Sequence, residues 1–257
     1  MFRTLSVVIV AIVATLIFAP LTTFFALLMP RRRGVEWAMK GWGRWIVWAA
    51  GIDAVAEGLE KLAPNGQYVL VANHHSYLDI PCLLATIPIS VRFMAKASLF
   101  KVPIFGWGLQ AAGFIPIDRK DRSKAKAAFS LAVERIKRGN SITIFPEEGR
   151  SKYKWMRPFQ RGAFLLAIKS ELPIVPMAID GTFNVLPVGA LRIKPGRVTV
   201  RIGDPFETKD LAVRAKKDVM ERTRHSVGVL LYGSEAAYRA VEALAASDAA
   251  EEPGTSG

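Results

Sequence analysis

Residues 68–79 read YVLVANHHSYLD, and this stretch decides the fold because it joins a buried strand to a helix through a polar turn. The apolar run 68–72 is typical of a strand buried in a sheet. Residues 81–85, PCLLA, indicate the start of a helix. His74 therefore follows a strand, and Asp79 lies five residues later in the first turn of a helix. Open α/β folds place their chemistry in such loops, at the carboxyl ends of strands.

His74 and Asp79 form a candidate catalytic couple. An imidazole can take a proton from a hydroxyl near neutral pH, and a carboxylate that accepts its other N–H fixes the tautomer. Positions five apart on one regular helix diverge by about 140°, so the couple requires His74 to precede the helix. Ser76 and Asp79 also fit a capping-box pattern, and a cap alone is the alternative role for this carboxylate.

Composition favours a protein that works at a membrane surface. The chain has 257 residues, with 35 Lys and Arg against 22 Asp and Glu, a net charge of +13 and 51% apolar residues. The length suffices for one large α/β domain, and the basic, apolar balance suits anionic lipid. Nucleic acid is not expected, because the basic residues are scattered and form no recognition motif. The single Cys82 excludes an internal disulfide and is expected to be a core residue, and no metal site is expected.

The N-terminus predicts a retained membrane anchor. No charged residue occurs between residues 5 and 29, a length that can cross a hydrocarbon core as a helix. Three arginines at 31–33 close the run and predict that the domain after it is cytoplasmic. A cleaved signal peptide is the alternative, although its apolar region would be shorter. Pro20 lies within the run, which leaves a kinked span and a helical hairpin in one leaflet both open.

Four tryptophans lie between residues 37 and 48, among two basic residues. Because indole rings concentrate at the water–lipid interface, this stretch predicts an amphipathic helix on the bilayer. A core-packing helix is the alternative. Residues 1–50 are therefore assigned to the anchor and interfacial helix, residues 51–246 to one enzymatic domain, and the small, acidic residues 247–257 to a disordered tail.

Apolar strand-like runs alternate with helical patterns through the rest of the chain. The predicted strands are 68–72, 92–95, 114–117, 141–145, 174–179 and 197–202, and the predicted helices are 123–138, 162–170, 210–231 and 235–246. Such alternation predicts an α/β fold with a mostly parallel sheet covered by helices on both faces.

Three more stretches join the first as candidate parts of a site. Arg119 follows a predicted strand, and its planar guanidinium suits a phosphate. In residues 145–151, FPEEGRS, Arg150 can pair with a phosphate and Glu147 can hold either Arg150 or a substrate hydroxyl. A solvated basic face and a turn with an internal salt bridge are the alternatives for these two stretches. Residues 172–176, LPIVP, are apolar and direct the chain into the next strand.

In this order the four stretches resemble the motifs of the glycerolipid acyltransferase family, above all its lysophosphatidate acyltransferases. The first motif, N-H-x4-D, is matched by residues 73–79, and the second, a glycine before an apolar strand and an arginine, by residues 113–119. The third, F-P-E-G-x-R-S, is matched by residues 145–151, except that Glu148 replaces the glycine. The fourth contains V-P, matched by residues 175–176.

The resemblance covers roughly residues 50–205 and implies a glycerol-3-phosphate acyltransferase-like fold with a membrane-embedded helical segment at the N-terminus. It implies acyl transfer from acyl-CoA or acyl carrier protein to a lysophospholipid hydroxyl, at the cytoplasmic face of the inner membrane. No cofactor or metal is implied beyond the thioester co-substrate. His74 would be the general base and Asp79 its partner. His75 occupies an open position of the motif and is assigned a structural or solvent-facing role.

Five residues are implied to bind substrate: Lys96, Arg119, Glu147, Arg150 and Ser151. The implied partners are the lysophospholipid acceptor, the acyl thioester donor, membrane lipids and acyl carrier protein. Two alternatives remain at this point. One is a chemically different acceptor, such as a lyso-amino-lipid or another lysophospholipid, and the other is a non-catalytic basic protein that binds anionic lipid.

Overall fold

A computed structural model describes residues 2–28, 33–118 and 122–251, and a seven-stranded sheet forms its centre. The strands are β1 (Ile52–Glu57), β2 (Val69–Ala72), β3 (Val91–Lys96), β4 (Ile115–Ile117), β5 (Ser141–Ile144), β6 (Ile174–Asp180) and β7 (Gly196–Ile202). The helices are α1 (Phe2–Leu28), α2 (Arg33–Ala50), α3 (Asp79–Thr86), α4 (Phe105–Ala111), α5 (Arg122–Lys137), α6 (Phe164–Ser170), α7 (Thr182–Val185), α8 (Lys216–Tyr232) and α9 (Glu235–Glu251).

The strand order is β1-β7-β6-β2-β5-β3-β4. Neighbouring strands are parallel throughout, except that β6 and β7 run antiparallel. The mixed, mostly parallel sheet expected from the sequence is therefore confirmed. Because β2 to β6 all point the same way, their carboxyl ends meet at one edge, which we call the carboxyl edge of the sheet.

Strand β2 is buried on both faces, as its unbroken apolar sequence predicts. Leu70 and Ala72 belong to a core shared with α1 to α4, while Val69 and Val71 belong to a second core shared with α5, α6 and α8. Successive side chains of a strand point to opposite faces, so one short apolar run contributes to both cores. Cys82 is fully buried in the first core, as expected.

The sequence located six of the seven strands, each within one residue at either end. It missed β1, an edge strand whose residues are mostly half-buried or exposed and carry two acidic side chains. Helix α8 begins at residue 216 rather than 210. Asp210 has a positive φ of 63°, a left-handed conformation that a helix cannot include.

The first two helices form a hairpin that packs on the domain. A side chain on Gly41 would collide with the Phe18 ring, so this glycine lets α2 approach α1 closely. Ile193 N–H donates to Thr4 Oγ1 over 3.0 Å, which ties the start of α1 to the domain. Among the described helices only α1 is long and apolar enough to cross a membrane, and this apolar N-terminal helix indicates membrane association.

Helix α2 combines the two roles that the sequence left open for its tryptophans. Trp42 packs inward, and its Nε1–H donates to Thr15 Oγ1 over 3.1 Å. Trp37, Trp45 and Trp48 are exposed, with Trp48 the most so at 77%. The helix therefore has both a packed face and an outward aromatic face.

The predicted disordered tail begins too early. Helix α9 continues through residue 251, and residues 247–251, SDAAE, contain no glycine or proline that would end it. The remaining residues of that prediction, 252–257, lie outside the described part of the chain.

Candidate active site

His74 and Asp79 meet at the carboxyl edge of the sheet. His74 Nδ1 lies 2.7 Å from Asp79 Oδ2, and Asp79 is completely buried whereas the His74 side chain is 18% exposed. Asp79 is the first residue of α3, so His74 does precede the helix. Because a carboxylate only accepts hydrogen bonds, Nδ1 carries the proton and Nε2 keeps its lone pair.

One oxygen of Asp79 makes all of its observed hydrogen bonds. Asp79 Oδ2 also accepts from the backbone N–H groups of His75 (2.8 Å) and Ser76 (2.9 Å). The carboxylate thus makes one half of the predicted capping box. The other half is absent, since Ser76 Oγ accepts from Leu78 N–H instead of that of Asp79. Asp79 can therefore cap the helix start and hydrogen-bond to His74 at the same time, because the same oxygen accepts in both roles.

The His74 ring is held in a defined plane. Phe145, the first residue after β5, stacks on it with ring centroids 4.2 Å apart and an angle of 21°. The His74 N–H donates to Glu147 Oε1 over 2.7 Å, which fixes the backbone as well. No described residue hydrogen-bonds to Nε2, so this nitrogen can accept a proton from a bound hydroxyl.

The neighbours of His74 are structural. Asn73 Oδ1 accepts from Ile179 N–H (2.7 Å) and Asn73 Nδ2 donates to Ile179 O (3.0 Å), which pins the loop to β6. His75 is 3% exposed, and its Nδ1 lies 3.2 Å from Asn73 Nδ2. Burial lowers the pKa of His75, and this histidine is neutral near pH 7. Of the two roles considered for His75, the structural one is correct.

Glu147, which the sequence led us to expect among the substrate-binding residues, makes its hydrogen bonds inside the protein. It is 1% exposed, and its two oxygens accept from backbone N–H groups, Oε1 from His74 and Oε2 from Arg157 (2.6 Å). Burial raises the pKa of Glu147 to about 8, although the two N–H groups oppose this shift. The carboxyl group therefore joins two loops of the site.

Ser151, also expected among the substrate-binding residues, makes its hydrogen bonds inside the protein. It is fully buried, its N–H donates to His74 O (2.8 Å), and its Oγ donates to Trp155 O (2.7 Å). Tyr153 N–H donates to the same hydroxyl. Ser151 therefore stabilises the turn beside His74.

Residues 146–160 form one closed loop, because Gln160 N–H donates to Pro146 O over 2.9 Å. We call it the arginine loop, after Arg150 and Arg157. The Arg150 guanidinium lies over the Tyr77 ring, 3.4 Å from its centroid, and forms no ion pair with any described residue. An arginine held by a ring but lacking a carboxylate partner is suited to a phosphate.

Two further basic residues, Lys96 and Arg119, were expected to bind substrate. Lys96 is exposed at the carboxyl end of β3 and has no ion-pair partner within the described ranges. Arg119 lies outside the described residues. Strand β4, which leads to Arg119, pairs with the end of β3, Lys96 opposite Ile117.

The departure from the third motif has a backbone consequence. Glu148 has a positive φ of 56°, which favours glycine, and its side chain is exposed. Gly149 lies against Arg157, where a side chain would approach the guanidinium to 2.8 Å. The loop thus keeps a left-handed turn at the motif's glycine position despite the substitution.

An apolar cavity of about 440 Å³ opens beside this site. Tyr77 and Leu78, which follow the catalytic histidine candidate, line it together with side chains of α1, α2 and α4 such as Phe18, Trp42 and Leu109. Its wall is almost entirely hydrophobic and offers no charged group. Such a cavity suits a hydrocarbon chain.

The sequence missed two contributors to this site. Tyr77 occupies a variable position of the first motif, and Arg157 contributes its backbone N–H. Phe145 belongs to the third motif, but its stacking on His74 was not predicted. For Tyr77, its aromatic character beside the motif was a usable signal. Among the described residues no group of three or more His, Cys, Asp or Glu side chains could hold a metal ion.

A sequence model of the Acyltransferase family matches residues 54–180, from β1 to the end of β6. The BAT2 1-acyl-sn-glycerol-3-phosphate acyltransferase of Brassica napus chloroplasts is 36% identical over 152 residues, which are 58% of this chain and 44% of that protein. The acl-2 protein of Caenorhabditis elegans is 30% identical over 195 residues, 75% of this chain and 68% of that protein. The chain spans about half the length of the plant relatives that it matches.

The fold of this chain is also similar to that of a solved structure. The crystal structure of the 1-acyl-sn-glycerophosphate acyltransferase PlsC from Thermotoga maritima matches with a TM-score of 0.73 and 26% sequence identity. The match covers 87% of this chain and 93% of that one.

Proposed function

The chain belongs to the acyltransferase family, and from that membership we propose that it moves a fatty acyl group from an acyl-CoA or acyl carrier protein thioester to the sn-2 hydroxyl of lysophosphatidate. The products are phosphatidate and a free thiol. The observation that carries this proposal is the buried couple of His74 and Asp79, whose free Nε2 adjoins a loop that lines an apolar cavity.

His74 is the general base. Its Nε2 takes the proton of the acceptor hydroxyl as the oxygen attacks the thioester carbonyl carbon. The carbon–sulfur bond of the tetrahedral intermediate then breaks, and the departing thiolate receives the proton from the imidazolium. Base assistance of this kind contributes about 10²–10⁴-fold. Asp79 stabilises the imidazolium through its 2.7 Å contact with Nδ1.

The acceptor phosphate binds to Arg150, together with Lys96 and Arg119. Arg150 is supported by the Tyr77 ring and has no described carboxylate that would compete with the phosphate. Each charge-assisted contact contributes about 1.5–3 kcal/mol when it is partly desolvated. Glu147 and Ser151 affect phosphate binding indirectly, because their hydrogen bonds hold the loop that carries Arg150.

The acyl chain lies in the apolar cavity. Because Tyr77 lines the cavity and also supports Arg150, the acyl chain and the phosphate occupy neighbouring sites on either side of this ring. The cavity wall includes Phe18 and Ala19 of α1, so the N-terminal hairpin is part of the binding site. Loss of α1 would open the cavity to solvent.

The hairpin also brings the enzyme to its lipid substrate. The apolar surface of α1 and the exposed tryptophans of α2 suit insertion into a bilayer. The arginines at 31–33 favour retention of that segment on the cytoplasmic side, which gives a catalytic domain at the cytoplasmic face of the inner membrane.

The exposed carboxylate of Glu148 favours a second class of acceptor. Glu148 brings an exposed carboxylate into the motif that carries Arg150, and no described residue forms an ion pair with it. A headgroup with both an anion and a cation, as in a lyso-amino-lipid, could satisfy both side chains. This acceptor is the alternative to lysophosphatidate.

Thiol release from acyl-CoA by the purified full-length chain in lipid vesicles tests the function. We expect release to depend on added lysophosphatidate and to be lower with a lyso-amino-lipid or with glycerol-3-phosphate. Cys82 is fully buried, so a thiol reagent detects the released CoA without reacting with the folded protein. Release that is equal with and without every acceptor would reject acyl transfer.

A further inference from the structure

The C-terminal helices reach back to the active site. Helices α8 and α9 lie beyond residues 54–180, the part of the chain that matches the family. Yet the backbone N–H of Met156, in the arginine loop, donates to Tyr232 Oη at the end of α8 over 3.1 Å. These two residues are 76 positions apart, so only the fold brings them together.

Two backbone N–H groups of the arginine loop donate to separate parts of the protein. On one side Ser151 N–H donates to His74 O, and on the other Met156 N–H donates to Tyr232. Arg157 follows Met156 directly, and its N–H donates to Glu147. The contact with Tyr232 therefore adjoins the contact that holds Glu147, which in turn holds the His74 backbone.

Met156 cannot easily replace this hydrogen bond. The residue is 2% exposed, so without the tyrosine hydroxyl its N–H would be buried without a partner. A buried unsatisfied donor is strongly unfavourable, and the segment would move to reach water. Such a movement would shift the loop that carries Arg150.

Tyr232 is itself held firmly. Arg224 forms a double hydrogen bond with Glu242 and also donates to Tyr238 Oη over 3.1 Å, which locks α8 to α9. A side chain on Gly228 would collide with the Tyr238 ring, so this glycine permits the close approach of the two helices. Burial raises the pKa of Tyr232 to about 12, and its hydroxyl stays protonated.

We propose that the α8–α9 hairpin is a brace for the acceptor site and that Tyr232 is its positioning residue. Through Met156 the hydroxyl of Tyr232 holds the arginine loop in the conformation that presents Arg150 to the acceptor phosphate. This role rests on the proposed acyl transfer. It predicts that Tyr232 affects binding of the acceptor and leaves the acyl donor and the proton transfer unchanged.

The test compares Tyr232→Phe with Tyr238→Phe. Both variants lose one tyrosine hydroxyl of the same hairpin, but only Tyr232 contacts the arginine loop. Tyr232→Phe should raise the KM for lysophosphatidate about fivefold or more while kcat and the KM for acyl-CoA stay near the wild-type values. Tyr238→Phe should leave all three constants near wild type, even if it lowers the melting temperature as much.

Hydrogen–deuterium exchange gives a second readout that does not depend on catalysis. Peptides from residues 151–161 should exchange faster in Tyr232→Phe than in wild type, whereas peptides from β2 should not change. Equal KM values and equal exchange in this segment for Tyr232→Phe and wild type would overturn the brace. If wild type and Tyr238→Phe lack acyl transfer altogether, the proposed function fails, and the exchange result still decides the role of Tyr232.

Discussion

The backbone N–H of His74 donates a hydrogen bond to Glu147 Oε1 over 2.7 Å. The carbonyl of His74 in turn accepts from Ser151 N–H over 2.8 Å. The third motif thus holds the backbone of the candidate base on both sides, while Arg150 projects from the same motif. The backbone of the base and the loop that carries Arg150 both depend on Glu147, so changes in Glu147 should affect both.

Glu147 should make stability fall with pH. Burial raises its pKa to about 8 from an ordinary value of 4.5. In the interval between these values the folded protein binds a proton that the unfolded chain has released, so the contribution of Glu147 to the free energy of unfolding decreases as pH rises and is lost above about pH 8. Glu147→Gln cannot titrate and should lack this decrease.

Urea unfolding of both proteins between about pH 6.5 and about pH 9 measures this difference. His75 is present in both proteins, so its own contribution to the pH dependence of stability cancels in the comparison. Glu147→Gln should be less stable at the lower pH by about 1 kcal/mol, because an amide cannot accept from both N–H groups. If the free energies of unfolding of wild type and Glu147→Gln change with pH in parallel, Glu147 is ionised throughout this range.

Tyr77 should contribute to phosphate binding through its ring. Tyr77→Leu removes the surface on which Arg150 lies but keeps an apolar side chain at the cavity, and it should raise the KM for lysophosphatidate about threefold to tenfold. Tyr77→Phe retains the ring and serves as the matched control. If the two variants have the same KM, the contact does not support binding.

Glu148 should be strained. Its φ of 56° is unfavourable for a residue with a side chain, so Glu148→Gly should increase the free energy of unfolding by about 0.5–1 kcal/mol. Glu148→Ala removes the same charge but keeps the strain, and should not increase it. Thermal or urea unfolding of the three proteins distinguishes backbone strain from charge, and equal gains in both variants would assign the effect to charge.

Asp79→Asn should retain the fold but lose activity. The single amide oxygen can still accept the three hydrogen bonds that Asp79 Oδ2 accepts, but the amide carries no negative charge to stabilise the imidazolium. We expect kcat to fall about 10²–10⁴-fold, with a modest loss of stability. Asp204→Asn, at an exposed aspartate, is the control. Near-wild-type kcat in Asp79→Asn would leave this carboxylate with the role of a helix cap alone.

The sequence predicted those parts of the fold that local patterns specify. Apolar runs located β2 to β7, and the predicted helix 123–138 ends close to Gly139, which has a positive φ of 78°. Strand β1 was missed because it lies at the edge of the sheet and pairs with β7, far away in the chain. Its register depends on a partner that no local pattern identifies.

For the candidate site, the sequence likewise predicted only the contact that local spacing specifies. The spacing of His74 and Asp79 around a helix start was sufficient to predict their contact, because both conditions are local. The internal roles of Glu147 and Ser151 were not predictable, since they depend on how two loops pack against each other. The contact between Tyr232 and Met156 connects segments for which the sequence offers no common motif.

The most direct test of the account is the kcat of His74→Ala, measured as lysophosphatidate-dependent thiol release from acyl-CoA. His225→Ala is the matched control, because His225 lies half-exposed on α8 and pairs with Glu235. We predict that His74→Ala remains folded and loses about 10²-fold or more of kcat while His225→Ala stays near wild type. A folded His74→Ala protein with wild-type kcat would contradict the central claim that this imidazole is the general base.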